Sequence, residues 1–575
     1  MNKNDMNSRV LMAVLISFVF IVIYSYFIPD THKQQPAQTQ NPQSQSAQNP
    51  ATQANPQAQD SASATPQISP ASQFATSQTS STPSLPQSRH IISKVISDDL
   101  EVEIDELGRI SQVYLKDKKF TAPKQEGIFT HLGRLFGLNK QSAKPLEKLP
   151  LLSPNAVFPL EMRFQDFALN QEATTTPYSA STSQIAIDKD FKDSKTLILT
   201  QKLKSLTITK TLTFYFDNTD HLKYDVKITL TQPTTYFLSS GQRPIADDDG
   251  YAFHGVVLKE NGLDGTIEKI EDKDAKNTAQ HFTQVPFIAA SDRYFTTLLF
   301  TRDVRGINVQ VLAEVGTQNP IPYISLDSDM ELEGYIGPKD YRDLQKVYAP
   351  LTDVVEYGLI TFFAKPVFVL LDWLYSIFGN WGWAIIGLTI IVRIILFPLS
   401  YKGIMSMQKL KDLTPKMKEI QEQYKGNPQK LQMHMMQLYK KHGANPLGGC
   451  LPLLLQIPVF FAIYRVLYNA VELKSSEWIF WIHDLSVMDP YLVLPILMGL
   501  SMYIQQALTP STLDPMQARI FKLLPIIFTI FFITFPAGLV LYWTINNIFA
   551  ILMQIMINKI IDKRRAEQIA QHHKK

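Results

Sequence analysis

Residues 381–399 read WGWAIIGLTIIVRIILFPL, a run of 19 residues whose only charged side chain is Arg393. A helix needs about 20 apolar residues to cross the hydrocarbon core of a bilayer. This stretch therefore predicts a membrane-spanning helix, although the whole chain of 575 residues has an ordinary composition, with 45% hydrophobic and 19% charged residues. Apolar residues are concentrated in separate segments, and that segregation indicates a multi-domain membrane protein.

Further apolar regions follow this span. Residues 450–470 and 490–507 are each long enough to cross a bilayer once, whereas 521–557 are too long for a single crossing. Phe535-Pro536-Ala537-Gly538 interrupts the long region, and a proline there favours two helices joined by a tight turn. The segment 381–560 is therefore predicted to hold five spans.

An apolar segment also precedes the first of these spans. Residues 356–378 are apolar but carry Lys365 and Asp372, and Trp373 follows directly. Charges inside such a run favour an amphipathic helix lying in the membrane interface, with the tryptophan at headgroup level. We assign 351–380 to this interfacial element.

The chain begins with one more apolar run, residues 10–28, which contains no charge. A cleaved signal peptide is the alternative, but no small-residue cleavage site follows, so we predict an uncleaved transmembrane anchor over 1–30 with its N-terminus in the cytoplasm. Residues 31–90 are rich in Gln, Ser, Ala, Thr and Pro and cannot bury enough apolar surface to fold. They are predicted to form a disordered tether, and the anchor raises the predicted number of spans to six.

Charge in the loops predicts the orientation of the spans. Residues 401–446 carry a net charge of +6 and the tail 558–575 carries +4, whereas the loop 471–489 carries −3. Positive loops stay in the cytoplasm. Both termini, the loop 401–446 and the basic tail at 561–575 are therefore predicted to be cytoplasmic.

The loop 401–446 has apolar residues at helical spacing on both sides of Gly426-Asn427-Pro428, which predicts a helical hairpin. Its lysines form a basic face that would suit anionic lipid or ribosomal RNA, although a face that only fixes topology is the simpler interpretation. The lysines that we single out are Lys409, Lys411, Lys416 and Lys418.

Residues 91–350 have a different period. Stretches such as LEVEIDELGRISQVYL at 100–115 alternate apolar and polar residues, which predicts an antiparallel β-sandwich. After an anchor with its N-terminus inside, this domain lies outside the cytoplasm. Asp247-Asp248-Asp249 is best explained as a solvated turn, and no catalytic or nucleotide-binding motif occurs. The single cysteine, Cys450, excludes an internal disulfide and a cysteine-rich metal site.

Arg393 is the unusual residue of the membrane segments. Placing an arginine at a helix centre costs roughly 2.5–3.5 kcal/mol on insertion scales, and the other predicted spans contain no acidic residue to pair with it. We therefore expect it to face a hydrated cavity open to the cytoplasm. Other spans offer Thr389, Gln456 and Asn546, among further polar residues, for which hydrogen bonding between helices is the simpler interpretation.

Several of these segments resemble the YidC/Oxa/Alb family of membrane protein insertases. The segments are Arg393 with Phe397-Pro398-Leu399, NPLGGCLPLLLQIPVF at 445–460, WIHDLS at 481–486, DPYLVLPILMG at 489–499, DPMQ at 514–517 and FPAGLVLYW at 535–543. The anchor, tether and β domain resemble the Gram-negative type, whose periplasmic domain is a β-supersandwich. FIAASDRYFTTLLF at 287–300 is the most family-like stretch of that domain.

The resemblance implies a function and its residues. It implies a hydrophilic groove formed by Arg393, Thr389, Gln456, Asn546 and Trp543. Trp543 stands where an aromatic residue, often tyrosine, is expected, and it keeps a ring but lacks the hydroxyl. The apolar slide that contacts substrate helices would use Phe460, Met498 and Phe531.

The same resemblance implies the partners and the location. A protein of this family would insert and fold nascent proteins of the bacterial inner membrane, alone or with the SecYEG and SecDF translocon components. The ribosome, the signal recognition pathway and anionic lipids would be further partners, whereas DNA, a cofactor, a metal and enzymatic activity are not expected.

Two other classes of function remain as alternatives. A polytopic transporter would need paired intramembrane acids or inverted repeats, and the sequence shows neither. A membrane-anchored periplasmic sugar-binding protein, or an enzyme built on such a domain, would share the sandwich shape, but a fold does not by itself give a function. The sequence does not say what the β domain contributes.

Overall fold

The structure is a computed structural model that describes residues 90–122, 146–188 except 155, 194–216, 221–246, 252–314 except 273 and 277, 319–355, 357, 361–443, 451–508 and 515–572. These residues belong to one compact unit, Ala75–Lys575. The predicted anchor at 1–30, the tether except His90, the acidic run at 247–249 and Cys450 lie outside the described residues.

Residues 91–338 form a β domain with three sheets. The first sheet has the order β4 (Leu149–Pro150), β3 (Ile110–Leu115), β2 (Leu100–Asp105), β1 (Ile91–Ile96) and β7 (Gln184–Ala186). The second has the order β13 (Thr266–Glu271), β12 (Gly255–Glu260), β15 (Phe287–Ser291), β16 (Phe295–Phe300), β19 (Met330–Pro338), β10 (Lys223–Leu230), β9 (Thr207–Tyr215), β8 (Lys195–Lys202) and β6 (Ser179–Ala180). The third has the order β14 (Gln280–Val285), β17 (Ile307–Ala313), β18 (Pro320–Leu326), β11 (Tyr236–Ser239) and β5 (Met162–Phe164).

Alternation of side chains explains these strands. In β9 the threonines are half-buried, whereas Ile208, Leu212 and Phe214 point into the core, as a period of two requires. Among the strand pairs of the described residues, β1 and β7 are parallel and the others are antiparallel. The predicted antiparallel domain therefore differs from the structure in this one pair. A parallel pair needs a long connection, and the chain between β1 and β7, which runs through the other sheets, provides one.

Ten α-helices are described. Two short ones lie among the strands, α1 (Lys118–Thr121) and α2 (Phe167–Thr175), and α3 (Tyr341–Val347) follows β19 and leads into a 3-10 turn, Ala349–Val354. The others are α4 (Thr361–Phe378), α5 (Trp381–Gln423), α6 (Pro428–His442), α7 (Leu451–Asn469), α8 (Val493–Leu508), α9 (Pro515–Phe532) and α10 (Ala537–His572).

The helices agree with the predicted apolar regions, with one important difference. The expected break near 535–538 is confirmed, because α9 ends at Phe532 and α10 begins at Ala537. The difference is that α5 runs unbroken from Trp381 to Gln423, so the predicted span ending at 399 and the loop beginning at 401 lie on one continuous helix. Pro398 does not end this helix, since Ser400 and Gly403 beyond it are still packed and buried.

Length and composition identify candidate spans. Within the described residues, α4, α5 and the first part of α10, Ala537–Arg564, are long and apolar enough to cross a membrane. Helix α8 and the second part of α9 are apolar but shorter. Helix α4 was expected to lie in the interface, and its two charges are paired outside the helix, Lys365 with Asp353 and Asp372 with Arg342.

The second half of α5 and α6 form an antiparallel hairpin. Leu410 and Leu413 of α5 pack on Leu438 and Tyr439 of α6. Nearer the turn, the rings of Tyr424 and His434 stack with their centroids 4.3 Å apart. Asn427 accepts a hydrogen bond from the backbone N–H of Lys430 and so caps the start of α6. The two helices thus pack against each other on either side of the turn, and the first of them continues the preceding apolar helix.

Candidate functional site

Arg393 lies on α5 where this helix packs against α10. Its Nη2 donates a hydrogen bond to the backbone carbonyl of Asn546, 3.0 Å away, and its Nε is buried without a hydrogen-bond partner in the described part of the chain. No described carboxylate forms a salt bridge with it. A guanidinium carries five N–H donors, so Arg393 retains unused donors in the middle of an apolar helix.

The polar residues around Arg393 mostly bond within the helix bundle. Thr389, one turn before Arg393 on the same face, is fully buried and donates its hydroxyl to the carbonyl of Ile385 at 2.7 Å. Asn547 donates to Ser501 Oγ at 3.0 Å. The bond of Asn547 joins α10 to α8, as hydrogen bonding between helices requires, whereas the bond of Thr389 stays within α5. The structure brings the guanidinium of Arg393 to the backbone carbonyl of Asn546, whereas the described hydrogen bond of Thr389 goes to neither residue.

Trp543 lies three residues before Asn546 on α10, at the centre of a group of rings. We call this group the aromatic cluster; it consists of Phe460, Phe528, Phe531, Phe532, Phe535 and Trp543. The ring of Trp543 meets that of Phe460 edge-on at 4.8 Å and that of Phe532 at 5.1 Å. The aromatic cluster thus joins α7, α9 and α10 directly beside the polar residues of α10.

Two of the predicted slide residues belong to this cluster. Phe460 and Phe531 are both half-buried, and Gln456 lies one turn before Phe460 on the same face of α7. The structure therefore places Gln456 beside the aromatic cluster. The described hydrogen bond of Arg393 goes to Asn546 and not to Gln456.

Met498, the third predicted slide residue, is in a different environment. It is fully buried on α8, and its backbone carbonyl accepts a hydrogen bond from Ser501 Oγ at 2.6 Å. Its side chain reaches no surface at which a substrate helix could lie. Met498 is therefore a packing residue in this structure.

The structure also exposes a set of apolar residues that the predicted slide does not include. On α7 and α9 they recur at helical spacing beside the predicted slide residues, and this spacing is the signal that could have identified them. They are Ile457, Phe461, Leu523, Ile526, Ile527 and Ile530. Ile530 is 64% exposed, next to Phe531.

The predicted basic residues of the hairpin are exposed. Lys409, Lys411, Lys416 and Lys418 all point to solvent from α5, on either side of the packed Leu410 and Leu413. None of these four lysines forms a salt bridge with a described residue. Four cations are therefore available to an external anionic surface.

Among the described residues, no three His, Cys, Asp or Glu side chains lie close enough together to hold a metal ion. The site is thus a cation at an interhelical contact, an aromatic cluster beside it and an exposed apolar face. Such a site can bind a polypeptide that has both polar and apolar segments, the polar ones at the cation and the apolar ones at the rings.

Comparisons with known proteins give consistent matches. A family model described as "60Kd inner membrane protein" matches residues 373–564, and one described as "YidC periplasmic domain" matches residues 138–370. A protein of Helicobacter pylori named "Membrane protein insertase YidC" is 56% identical over 581 residues, which cover 98% of each chain. A protein of the same name from Wolinella succinogenes is 51% identical over 580 residues, covering 98% of this chain and 97% of the relative.

Among solved structures, a chain described as "Active YidC insertase crystal structure with the first transmembrane domain resolved" matches with a TM-score of 0.35 and 17% identity. The match covers 82% of this chain and 95% of that chain.

Proposed function

The chain belongs to the YidC family of membrane protein insertases, and we propose that it inserts substrates through a polar groove at Arg393 and an apolar slide at the aromatic cluster. The observation that carries the proposal is the guanidinium of Arg393, held by one backbone carbonyl with its Nε unpaired, next to that cluster. The function itself is that of a membrane protein insertase with nascent membrane proteins as substrates.

The groove acts on the polar part of a substrate. A polar segment entering a bilayer loses its water, and each backbone group left without a partner costs several kcal/mol. Arg393 offers N–H donors and a positive charge in that environment, so an acidic side chain or a carbonyl of the substrate gains a partner partway across. The backbone carbonyl of Asn546 holds the guanidinium, and Thr389 lies one turn earlier on the same face of α5. This route needs neither a closed pore nor a nucleotide.

The slide acts on the apolar part. Phe460 and Phe531 border the aromatic cluster, and exposed neighbours such as Phe461 and Ile530 extend its apolar surface outward. A substrate helix leaving the groove would pass over rings and aliphatic side chains instead of water. Trp543 belongs to both the proposed groove and the proposed slide, because it is packed among these rings and lies three residues from Asn546.

We propose the orientation from charge. The hairpin with its exposed lysines and the basic tail lie in the cytoplasm, the loop 471–489 and the β domain lie in the periplasm, and α4 lies in the interface. We propose six spans across the bacterial inner membrane, including the anchor at 1–30. An even number of spans leaves both termini on the same side, which is the cytoplasm.

The partners follow from the same surfaces. The lysine face of α5 suits ribosomal RNA or anionic headgroups, and the signal recognition pathway would deliver ribosomes to it. SecYEG and SecDF would share longer substrates. We propose no enzymatic step, no cofactor and no DNA binding; the transporter and sugar-binding alternatives are set aside, since relatives over the full length carry the insertase name.

Site-specific crosslinking tests the slide. A photo-crosslinking amino acid at Phe460 or Phe531 should capture a ribosome-bound membrane protein during synthesis. The matched controls are Met498, which is buried, and Ile395, which is 68% exposed on α5 two residues from Arg393. Capture at positions 460 and 531 that does not exceed capture at 395 and 498 would contradict the proposed slide.

A further inference from the structure

The turn between β15 and β16 packs directly against the C-terminal end of α7. Arg293 in this turn is only 8% exposed, and its Nε and Nη2 both donate hydrogen bonds to the backbone carbonyl of Tyr468, at 2.9 and 2.7 Å. The guanidinium also lies 3.9 Å from the ring centroid of Tyr468 and 4.5 Å from that of Tyr294. One side chain of the β domain is therefore fixed to the last turn of a membrane helix.

The turn is built to hold Arg293 in place. Asp292 is fully buried, and its Oδ1 accepts hydrogen bonds from the backbone N–H groups of Tyr294 and Phe295, at 2.8 and 2.6 Å. Ser291 and Thr296 join their hydroxyls across the turn at 2.8 Å. Arg293 thus projects from a rigid support, which limits the conformational entropy lost on making the contact.

The end of α7 has a physical need for such a partner. The last four carbonyls of a helix have no partner within the helix, and the helix dipole leaves this end negative. Tyr468 belongs to that last turn, since α7 ends at Asn469. A guanidinium that donates two charge-assisted hydrogen bonds satisfies both the carbonyl and the dipole.

The residues that follow are gripped by the same domain. Val471 is buried in the apolar core of the β domain. Ser475 donates a hydrogen bond to the carbonyl of Lys119 in the β domain at 2.7 Å. Glu472 accepts one at 2.9 Å from the backbone N–H of Tyr341 in α3, the helix that directly follows the domain. Residues 468–475 are therefore held by several contacts with the β domain, of which the contact with Arg293 lies closest to the helix.

A line of rings connects this grip with the proposed slide. Tyr468, Tyr464 and Phe460 follow one another at intervals of four residues along α7, with ring centroids 5.4 Å and 6.4 Å apart. Phe460 then meets Trp543 of α10. We call Tyr468, Tyr464 and Phe460 the aromatic column. Packed rings transmit a displacement because interiors are dense and deform little.

We propose that Arg293 is a positioning residue for insertion, which fixes the end of α7 and, through the aromatic column, the place of Phe460 beside α9 and α10. This inference rests on the proposed slide. It gives the β domain a role in the insertase, that of positioning α7.

The test compares substrate capture on two helices. In the full-length protein, Arg293→Ala should lower photo-crosslinking of a nascent membrane protein from position 460 on α7 by roughly two- to thirtyfold relative to position 531 on α9. A general loss of stability would lower capture at both positions together. Arg305→Ala is the matched control, because Arg305 is an exposed arginine in the β16–β17 turn whose ion pair is with Asp303.

A conservative variant keeps the test decisive. Arg293→Lys retains a charge and a donor but not the planar fork, so it should retain part of the capture at position 460, and it replaces Arg293→Ala if that variant fails to accumulate. Equal losses at 460 and 531, or unchanged capture at 460, would overturn the proposal. Wild-type capture at both positions tests the slide separately, so failure of the slide and failure of the positioning role are distinguishable.

Discussion

Arg393 shows how one residue makes an apolar helix suited to a polar task. Its guanidinium is held by the carbonyl of Asn546 and not by a carboxylate, so its charge is not neutralised by a described residue. A salt bridge would have satisfied the arginine and left little attraction for a substrate. The unpaired Nε is therefore the feature to which we give most weight.

Substitutions can separate the contribution of the positive charge of Arg393 from that of its planar set of N–H donors. Arg393→Met should lower insertion of a substrate with an acidic translocated segment by about tenfold or more, since hydrogen bonds to charged groups contribute roughly 1.5–3 kcal/mol. Arg393→Lys should retain an intermediate level. Protease mapping of the inserted substrate measures both. The control is the same substrate with its acids changed to amides, which should lose less; an equal loss for both substrates would contradict a role in binding acidic groups.

The residue scale also shows what the sequence reveals about a site. Arg393 is conspicuous because a charge in an apolar run is costly wherever the helix packs. Met498 is not predictable in the same way, because apolar residues face lipid and core alike. Only the packing of α8 against its neighbours shows that this side chain is buried. Sequence therefore identifies unusual chemistry better than it identifies which apolar residues are accessible.

At the scale of elements, helix ends proved harder to predict than helices. The break before α10 was predictable because Pro536 and Gly538 stand together in an apolar run too long for one crossing. The fate of Pro398 was not, because a proline inside a helix can bend it or end it, and tertiary packing decides. As a result the first arm of the hairpin, with its exposed lysines, lies on the same continuous helix as Arg393.

The contact between α8 and α9 makes a prediction at this scale. A Cβ at Gly499 would collide with Thr529 Oγ1, whose hydroxyl is already bonded to the carbonyl of Pro525 at 2.7 Å. Gly499→Ala should therefore lower the free energy of unfolding by about 1–3 kcal/mol. Thermal unfolding of the purified protein in detergent measures the change.

A double-mutant cycle identifies the cause of that loss. Thr529→Ala added to Gly499→Ala should restore part of the stability, because the colliding hydroxyl is removed. The control is Leu500→Ala at the neighbouring position, whose side chain is 54% exposed. Strictly additive effects at 499 and 529 would show that the two helices do not meet as described.

At the scale of the whole molecule, the β domain and the helices share one apolar core. One cluster contains Phe287 and Phe300 of the nine-stranded sheet, Leu351 of the connecting segment, and residues of α4, α5 and α7. Ion pairs reinforce the joint, with Asp353 bound by Lys259 of β12 and Lys365 of α4, each at 3.1 Å. The sequence indicated the order of the domains but not this joint, because its partners are far apart in the chain.

Glu472 makes this joint sensitive to pH. Its buried carboxyl accepts the N–H of Tyr341, and burial, followed by the nearby charge of Asp340, raises its pKa from 4.5 to about 8. A carboxyl whose pKa is raised in the folded state stabilises that state fully below the unfolded pKa of 4.5, and this contribution is lost as the pH rises through about 8.

Hydrogen exchange in α3 and residues 471–476, corrected for intrinsic rates, should therefore be faster at about pH 9 than at about pH 6. Glu472→Gln keeps a hydrogen-bond acceptor but has no titratable carboxyl, so it should remove the difference in exchange rate between the two pH values. Glu477→Gln, at an exposed position of the same loop, should leave that difference unchanged. A pH dependence that persists in Glu472→Gln would mean that another group controls the joint.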